Sequence, residues 1–230
     1  VRFGGCVLRC HYCDSQHTWQ KQPTCEIEQT PGQRDFRTHT NPIELSELLT
    51  WVVQQNQPHL HDSISITGGE PLLHAPFLAQ FLPKIKELTY LPIYLETGGH
   101  RPQQLMQILP YLDLVGMDIK LPSVSGENHW HQHQEFIRIC RDAEVDVFIK
   151  IVISQTTNPA EIQEAARLVA DINDRVTIFL QPMTALEQPH TNPQLTAPTP
   201  AQVLAWQALM KEYLPHVRVV PQTHKMIKQL

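Results

Sequence analysis

No apolar run in this chain reaches the roughly eighteen residues that a membrane-spanning helix needs, and mean hydropathy lies slightly below zero. A membrane is therefore not an expected partner. Basic charge is also short: 18 Lys and Arg against 23 Asp and Glu leave a formal charge of −5, with the cations scattered. Nucleic-acid surfaces depend on concentrated positive charge, so nucleic acid is not expected either. Internal repeats, low-complexity tracts and linker-like composition shifts are all lacking. One domain over residues 1–230 is the simplest expectation, long enough for a substantial core. Cysteine is sparse at five residues, an odd number with three of them clustered. That is no disulfide framework, and a reducing cytoplasm suits it best. An opening methionine is lacking too. Val1 to Phe3 read as the end of a strand, so an N-terminal segment is expected to be missing.

Proline and histidine, by contrast, are plentiful at 19 and 13. Several prolines mark helix starts. Asn41-Pro42-Ile43-Glu44, Asn158-Pro159-Ala160-Glu161 and Thr199-Pro200-Ala201-Gln202 each combine a capping residue, Pro at the first helical position and an acid or amide three on. Short buried-strand runs fall at 63–67, 93–96, 114–119, 145–152, 176–180 and 217–220. They alternate with amphipathic stretches at about 78–89, 102–109, 130–142, 161–172 and 201–213. Strands alternating with helices imply parallel βα units. With the stub at Val1 to Phe3 about six units are present, which predicts an α/β fold with an incomplete, open (β/α)6 barrel. A doubly wound sheet satisfies the same periodicity. The polar stretch at about 16–40 reads as a loop excursion with at most a short strand or turn.

Three cysteines lie within eight residues in Gly5-Cys6-Val7-Leu8-Arg9-Cys10-His11-Tyr12-Cys13-Asp14. Cubane iron–sulfur clusters normally take four thiolates, one per iron. Three leave an iron open, as a cluster needs if it is to ligate S-adenosylmethionine and break its sulfonium bond. A Cys3His zinc site with His11 or His17 is the alternative. Zinc ligands usually come as two separated pairs, however, and His11 is squeezed between two cysteines. Cys25 stands apart in the polar excursion, and Cys140 lies in an apolar pattern that reads as core.

Sites in parallel α/β folds form at the carboxyl ends of strands. Here those ends read Thr67-Gly68-Gly69-Glu70-Pro71, Glu96-Thr97-Gly98-Gly99, Asp118-Ile119-Lys120 and Gln181-Pro182-Met183-Thr184. Paired glycines admit a close backbone approach to a ligand, and Glu70 beside them suits an ammonium group. Lys120 and Gln181 are expected to face the opening that these segments ring. His129, His131 and His133 read as a solvated helix start rather than a metal site, since residues two apart do not share a helix face. Asp113, Glu127 and Asp146 have no partner that the sequence identifies.

The Cys-x3-Cys-x2-Cys spacing, with Tyr12 before the last cysteine, resembles the radical SAM superfamily, and the Gly-Gly-Glu-Pro run is similar to its second loop. Arg2-Phe3-Gly4-Gly5-Cys6, Cys13-Asp14-Ser15 with Thr18-Trp19, and Val219-Val220-Pro221-Gln222-Thr223-His224-Lys225 resemble the 7-carboxy-7-deazaguanine synthase family more narrowly. The resemblance implies a radical SAM barrel and a carbon–nitrogen lyase of 7-deazapurine (queuosine) biosynthesis. Such an enzyme converts 6-carboxy-5,6,7,8-tetrahydropterin to 7-carboxy-7-deazaguanine with loss of ammonia, through a 5′-deoxyadenosyl radical. It further implies a 4Fe-4S cluster on Cys6, Cys10 and Cys13. S-adenosylmethionine would contact Tyr12, Cys13, Asp14, Gly69, Asp118, Ile119, Lys120, Gln181, Pro182, Met183 and Thr184. Arg2, Thr67 and His224 would face the pterin, Arg2 through its carboxylate, and Ser15 would give its hydroxyl to Mg2+. A homodimer and a flavodoxin-like electron donor are the implied partners. The family's Gln-Gly-Glu substrate loop is not in this sequence. The wording Met117-Asp118-Ile119-Lys120 is shared with glycyl-radical-enzyme activating enzymes, which makes that activity the alternative. A zinc-binding module on Cys6, Cys10, Cys13 and His17 is a third reading.

Overall fold

The computed structural model describes residues 1–184 and 195–226. In chain order the elements are β1 Arg2–Phe3, β2 Thr24–Glu28, β3 Phe36–Thr40, α1 Leu45–Gln55, β4 Ile64–Gly68, α2 Ala75–Thr89, β5 Ile93–Thr97, α3 Pro102–Ile108 and β6 Leu114–Asp118. Then follow α4 Pro122–Ser125, α5 Trp130–Asp142, β7 Asp146–Ile153, α6 Pro159–Ala170, β8 Thr177–Pro182, α7 Pro200–Lys211, β9 Val217–Val219 and α8 Thr223–Met226. Two compact units divide them.

The first unit comprises Val1–Val7, Ser15–Thr97 and Gln103–Val115. Its strands β1, β4 and β5 run parallel, with Arg2 opposite Thr67 and Ile66 opposite Leu95. Along β4 and β5 the apolar Ile64, Ile66, Ile93 and Leu95 alternate with Ser65, Thr67, Tyr94 and Glu96. Alternation with a period of two puts the second set together on the opposite face. Helix α2 buries Leu78, Phe81, Leu82 and Ile85, one stripe at the three- and four-residue spacing of a helix. Each such side chain withdrawn from water contributes about 2 kcal/mol before entropy is charged against it. The polar excursion is more ordered than expected: β2 and β3 form an antiparallel hairpin, with Cys25 opposite His39.

The second unit comprises Leu8–Asp14, Gly98–Pro102 and Gly116–Leu230, of which 185–194 and 227–230 lie outside the described residues. Its strands stand in the order β6-β7-β8-β9. Parallel registers match Ile149 with Ile178 and Leu180 with Val219. Ile151, Ile153, Ile178 and Leu180 are buried, as are Phe136 and Cys140 of α5, Val169 of α6 and Met210 of α7. Burial pushes the Cys140 thiol up to about 12, so it behaves as core.

Two helix caps follow local chemistry. The Asn158 side chain accepts from Ala160 N, and Thr199 forms a capping box with Gln202. The Asn41 expectation is corrected. Helix α1 begins three residues later, because the Glu44 side chain caps it and Glu47 reaches back to the Glu44 backbone. That reciprocal pair satisfies two orphan donors that Asn41 would have served less completely.

Candidate functional site

Strand ends in the first unit meet the start of the cysteine loop. Glu70 N donates to Gly5 O at 2.8 Å, Gly69 N to Phe3 O at 2.9 Å, and Cys6 N to Trp19 O at 3.4 Å. The two glycines at the end of β4 make this possible. A Cβ on Gly68, whose φ is +153°, would lie 2.7 Å from Phe3 N, and one on Gly69 would lie 3.0 Å from Cys6 Cβ. The close approach that the glycines were expected to allow is thus made first by the chain itself. Glu70 also serves the fold. It is 1% exposed, and its Oε1 accepts from Leu72 N at 3.1 Å and from Thr97 Oγ1 at 2.8 Å. A buried carboxylate has to be satisfied in this way. Its first duty is to cap the turn after the glycines.

Of the residues expected at the substrate, Arg2 is exposed and in register with Thr67. Thr67 Oγ1 donates to Glu96 Oε2 at 3.1 Å. Arg2, Thr67 and Glu96 therefore stand on neighbouring parallel strands in one row. In the sequence Glu96 reads only as a polar strand end. Ser15 precedes the short turn Gln16–Trp19, where its carbonyl accepts from Thr18 N and Oγ1. His224 belongs to α8, and its side chain lies outside what is described.

Within the second unit, the remainder of the loop carries the other two cysteines. Cys13 N donates to Cys10 O at 3.1 Å, closing a tight turn. Cys10 is 7% exposed. Burial raises its thiol to about 11, against the opposing pull of the Lys120 charge. Lys120 lies 5.4 Å from the centre of the Tyr12 ring, and its Nζ sits 2.6 Å from Asp118 Oδ2. Lys150 stands 3.2 Å from the other carboxylate oxygen. Burial acts to raise the Asp118 pKa, but the two lysines outweigh it and hold the carboxyl below its ordinary value. For Lys120, burial again opposes charge, and Asp118 wins, so the ammonium is held well above its usual range. Burial raises the Tyr12 hydroxyl.

Ile119 and Met183 turn inward at 0% and 3% exposure, and their backbone N–H groups donate to Lys150 O and Ile153 O. Gln181 is half-buried, Pro182 ends β8 opposite Ile153, and Thr184 N donates to Gln222 Oε1 at 2.7 Å. Gln222 Nε2 in turn reaches Asp14 Oδ2 at 3.5 Å, and Lys225 Nζ lies 3.8 Å from the same oxygen. The C-terminal motif thereby ties the end of β8 to the cysteine loop.

The histidine run needs correction. His131 is exposed as expected, but His133 is fully buried, its Nδ1–H donating to Gly99 O (3.0 Å) and its Nε2 accepting from Lys120 N (3.1 Å). Helix α5 turns that position onto the core, where Phe136, Ile137 and Cys140 share its face. Burial brings His133 down to about 4 from 6.5. The unfolded chain then binds the extra proton between those values. The resulting stability is complete above about pH 6.5 and is lost as pH falls toward 4. His133 should contribute about 2–3 kcal/mol to the stability that urea unfolding of the metal-free protein loses between pH 7.5 and 4.5, and His133→Gln should remove that share while leaving the loss due to His100, which burial lowers to about 3. An equal slope in the variant would assign the acid sensitivity elsewhere. Asp113 and Glu127 also have partners after all. Asp113 pairs with Lys86 at 2.7 Å and receives Ile93 N, while Glu127 receives Arg9 N at 2.7 Å.

None of the three loop cysteines is joined in a disulfide, and thiols are the donor set that an iron–sulfur cluster uses. With Cys10 raised to about 11, binding iron would release its proton. Among the described residues no three His, Cys, Asp or Glu side chains form a group that could hold a single metal ion. Cluster thiolates hold separate irons and need no such convergence.

The family model of the Radical SAM superfamily matches residues 1–169. A 7-carboxy-7-deazaguanine synthase of Geobacter sulfurreducens is 41% identical, covering all of this chain and 89% of the relative. The chain belongs to the 7-carboxy-7-deazaguanine synthase family of the radical SAM superfamily. It is a radical SAM enzyme by that membership. A family member from Methanocaldococcus jannaschii is 27% identical, covering all of this chain and 91% of the relative. The pyruvate formate-lyase-activating enzyme of Clostridium pasteurianum is 26% identical over 81% of this chain and 75% of its own length. Among solved structures, SuiB of Streptococcus suis bound to S-adenosylmethionine superposes with a TM-score of 0.62 at 12% identity. That match covers 94% of this chain and about half, 48%, of the SuiB chain, and it bears on the fold alone. No helix among the described residues is long and apolar enough to cross a membrane.

Proposed function

We propose that this chain converts 6-carboxy-5,6,7,8-tetrahydropterin to 7-carboxy-7-deazaguanine with loss of ammonia. The observation that carries the reading is 41% identity along the whole chain to a synthase of that name. Cys6, Cys10 and Cys13 would hold a 4Fe-4S cluster, and the segments at 12–14, 69, 118–120 and 181–184 would hold S-adenosylmethionine. When bound, the cluster supplies the electron that opens the sulfonium.

The chain's own part is positioning. Arg2 presents a guanidinium fork suited to the pterin carboxylate. Thr67 and Glu96, joined at 3.1 Å, present a hydroxyl and a carboxylate beside it, groups that can orient ring nitrogens and hold a proton. Ser15 is proposed to give one oxygen to Mg2+, whose remaining positions would be filled by substrate and water, and His224 to face the substrate. A second copy of the chain and a flavodoxin-like electron donor are the proposed partners. A reducing cytoplasm is the proposed setting, in keeping with five cysteines outside any disulfide.

The activating-enzyme reading shares the cofactor residues and draws on the Met117-to-Lys120 wording. One assay separates the two. Protein reconstituted without oxygen, given S-adenosylmethionine, Mg2+, reductant and the carboxytetrahydropterin, should yield the deazaguanine by mass and release ammonia. Cleavage of S-adenosylmethionine with the pterin left intact would defeat the substrate assignment. No cleavage at all would defeat the radical reading.

A further inference from the structure

We propose that Ser125 and Glu127, joined through Gly126, form a latch that holds the cysteine loop in shape by gripping the two backbone amides flanking Cys10. Glu127 Oε1 accepts from Arg9 N at 2.7 Å, and Ser125 O accepts from His11 N at 3.1 Å. Between these two grips sits Gly126, with φ +76°. A Cβ there would come 2.6 Å from His11 Cε1 and Nε2, so the imidazole lies directly on the glycine backbone. Ser125 at the end of α4 and the two residues after it thus engage the residue before Cys10 and the residue after it. The Cys10 carbonyl is taken by Cys13 N, which restrains the same cysteine from a third side.

The latch is itself anchored. Ser125 is fully buried, its Oγ donating to Leu121 O at 2.8 Å and receiving Glu127 N at 3.0 Å. Glu127 Oε2 lies 3.3 Å from His129 Nε2 at the start of α5. Both carboxylate oxygens are therefore committed, one to the loop and one to the fold. A loop ordered before its cluster arrives spares the conformational entropy that would otherwise oppose binding. Supporting residues of this kind set how well a ligand shell is held. Glu127 is a positioning residue, acting on Cys10 through Arg9.

The inference rests on the reading of this loop as a cluster site, and the test keeps the two apart. Amide hydrogen exchange on the metal-free full chain examines the latch alone, and iron and sulfide per chain after anaerobic reconstitution examine its use. Wild type should protect Arg9 and His11. Glu127→Ala should speed exchange at Arg9 at least about tenfold and lower iron uptake several-fold, with its melting midpoint reporting that the fold persists. Glu127→Gln keeps an acceptor oxygen in the same place and should restore both readouts. Gly126→Ala should speed exchange at His11. Unchanged protection at Arg9 and full iron in Glu127→Ala would overturn the proposal, as would a Glu127→Gln protein no better than the alanine variant. A wild type that protects both amides yet takes up no iron would sustain the latch and defeat the cluster reading.

Discussion

Gly68→Ala is expected to destabilise the metal-free protein by about 3 kcal/mol or more and to detach β1 from β4. The added Cβ would fall on the Phe3 backbone, 2.7 Å from its nitrogen and closer still to its carbonyl oxygen. Backbone cannot swing aside as a flexible side chain does, so the strands must part. With them would go the parallel register of Arg2 with Thr67 and the bond from Gly69 N to Phe3 O. The first turn of the cysteine loop would follow, since Glu70 N bonds Gly5 O. A matched control separates strain from collision. Gly32 also has positive φ, at +76°, but nothing lies within 4 Å of its Cβ position. Gly32→Ala should therefore cost only about 1 kcal/mol, from the left-handed conformation alone. Urea unfolding measures both, and equal losses would mean that the β1 contact contributes little.

Lys120→Met should cost about 3 kcal/mol, at the lower end of what breaking a buried ion pair exacts. Asp118 and Lys120 are 14% and 9% exposed as side chains and 2.6 Å apart. Losing one partner leaves a carboxylate in a low-dielectric setting with Lys150, 3.2 Å away, as its remaining counter-charge. Adding Asp118→Asn to Lys120→Met should recover part of the loss, because the stranded charge goes with it. The pH profile offers a second check. Asp118, held below 3.8, contributes stability that is present above about pH 3.8 and lost as pH falls through its folded value. Lys120, held well above 10.5, contributes stability that is complete below pH 10.5 and lost as pH rises past its folded value. The Lys120→Met variant should lack the alkaline decline assigned to this lysine. Denaturation midpoints identical to wild type across that range would sink the account.

Local chemistry was legible and tertiary chemistry was not. Asn158 and Thr199 cap the helices that their sequences announce, because a cap is decided within three residues. The Asn41 motif has the same letters, yet Glu44 and Glu47 make the better reciprocal pair and the helix starts there. The loss of α4 from the sequence reading has a visible cause. Four residues from Pro122 to Ser125 carry no apolar periodicity, although Pro at the first position and Gly126 just past the end bear the signature of a helix with both stops in place. That pair of letters was the signal that could have led to the latch.

The order of letters alone settled the three-cysteine loop, the parallel α/β character and the strands whose ends carry polar groups, since spacing and period are properties of neighbours in the chain. What only folding decided was who meets whom at long range. Glu127 finds Arg9 across 118 positions, Thr97 finds Glu70 across 27, and His133 is drawn into the core because α5 happens to turn that face inward. A side chain's pKa, burial and partner are set by atoms that arrive from elsewhere in the chain, and no local rule encodes their arrival.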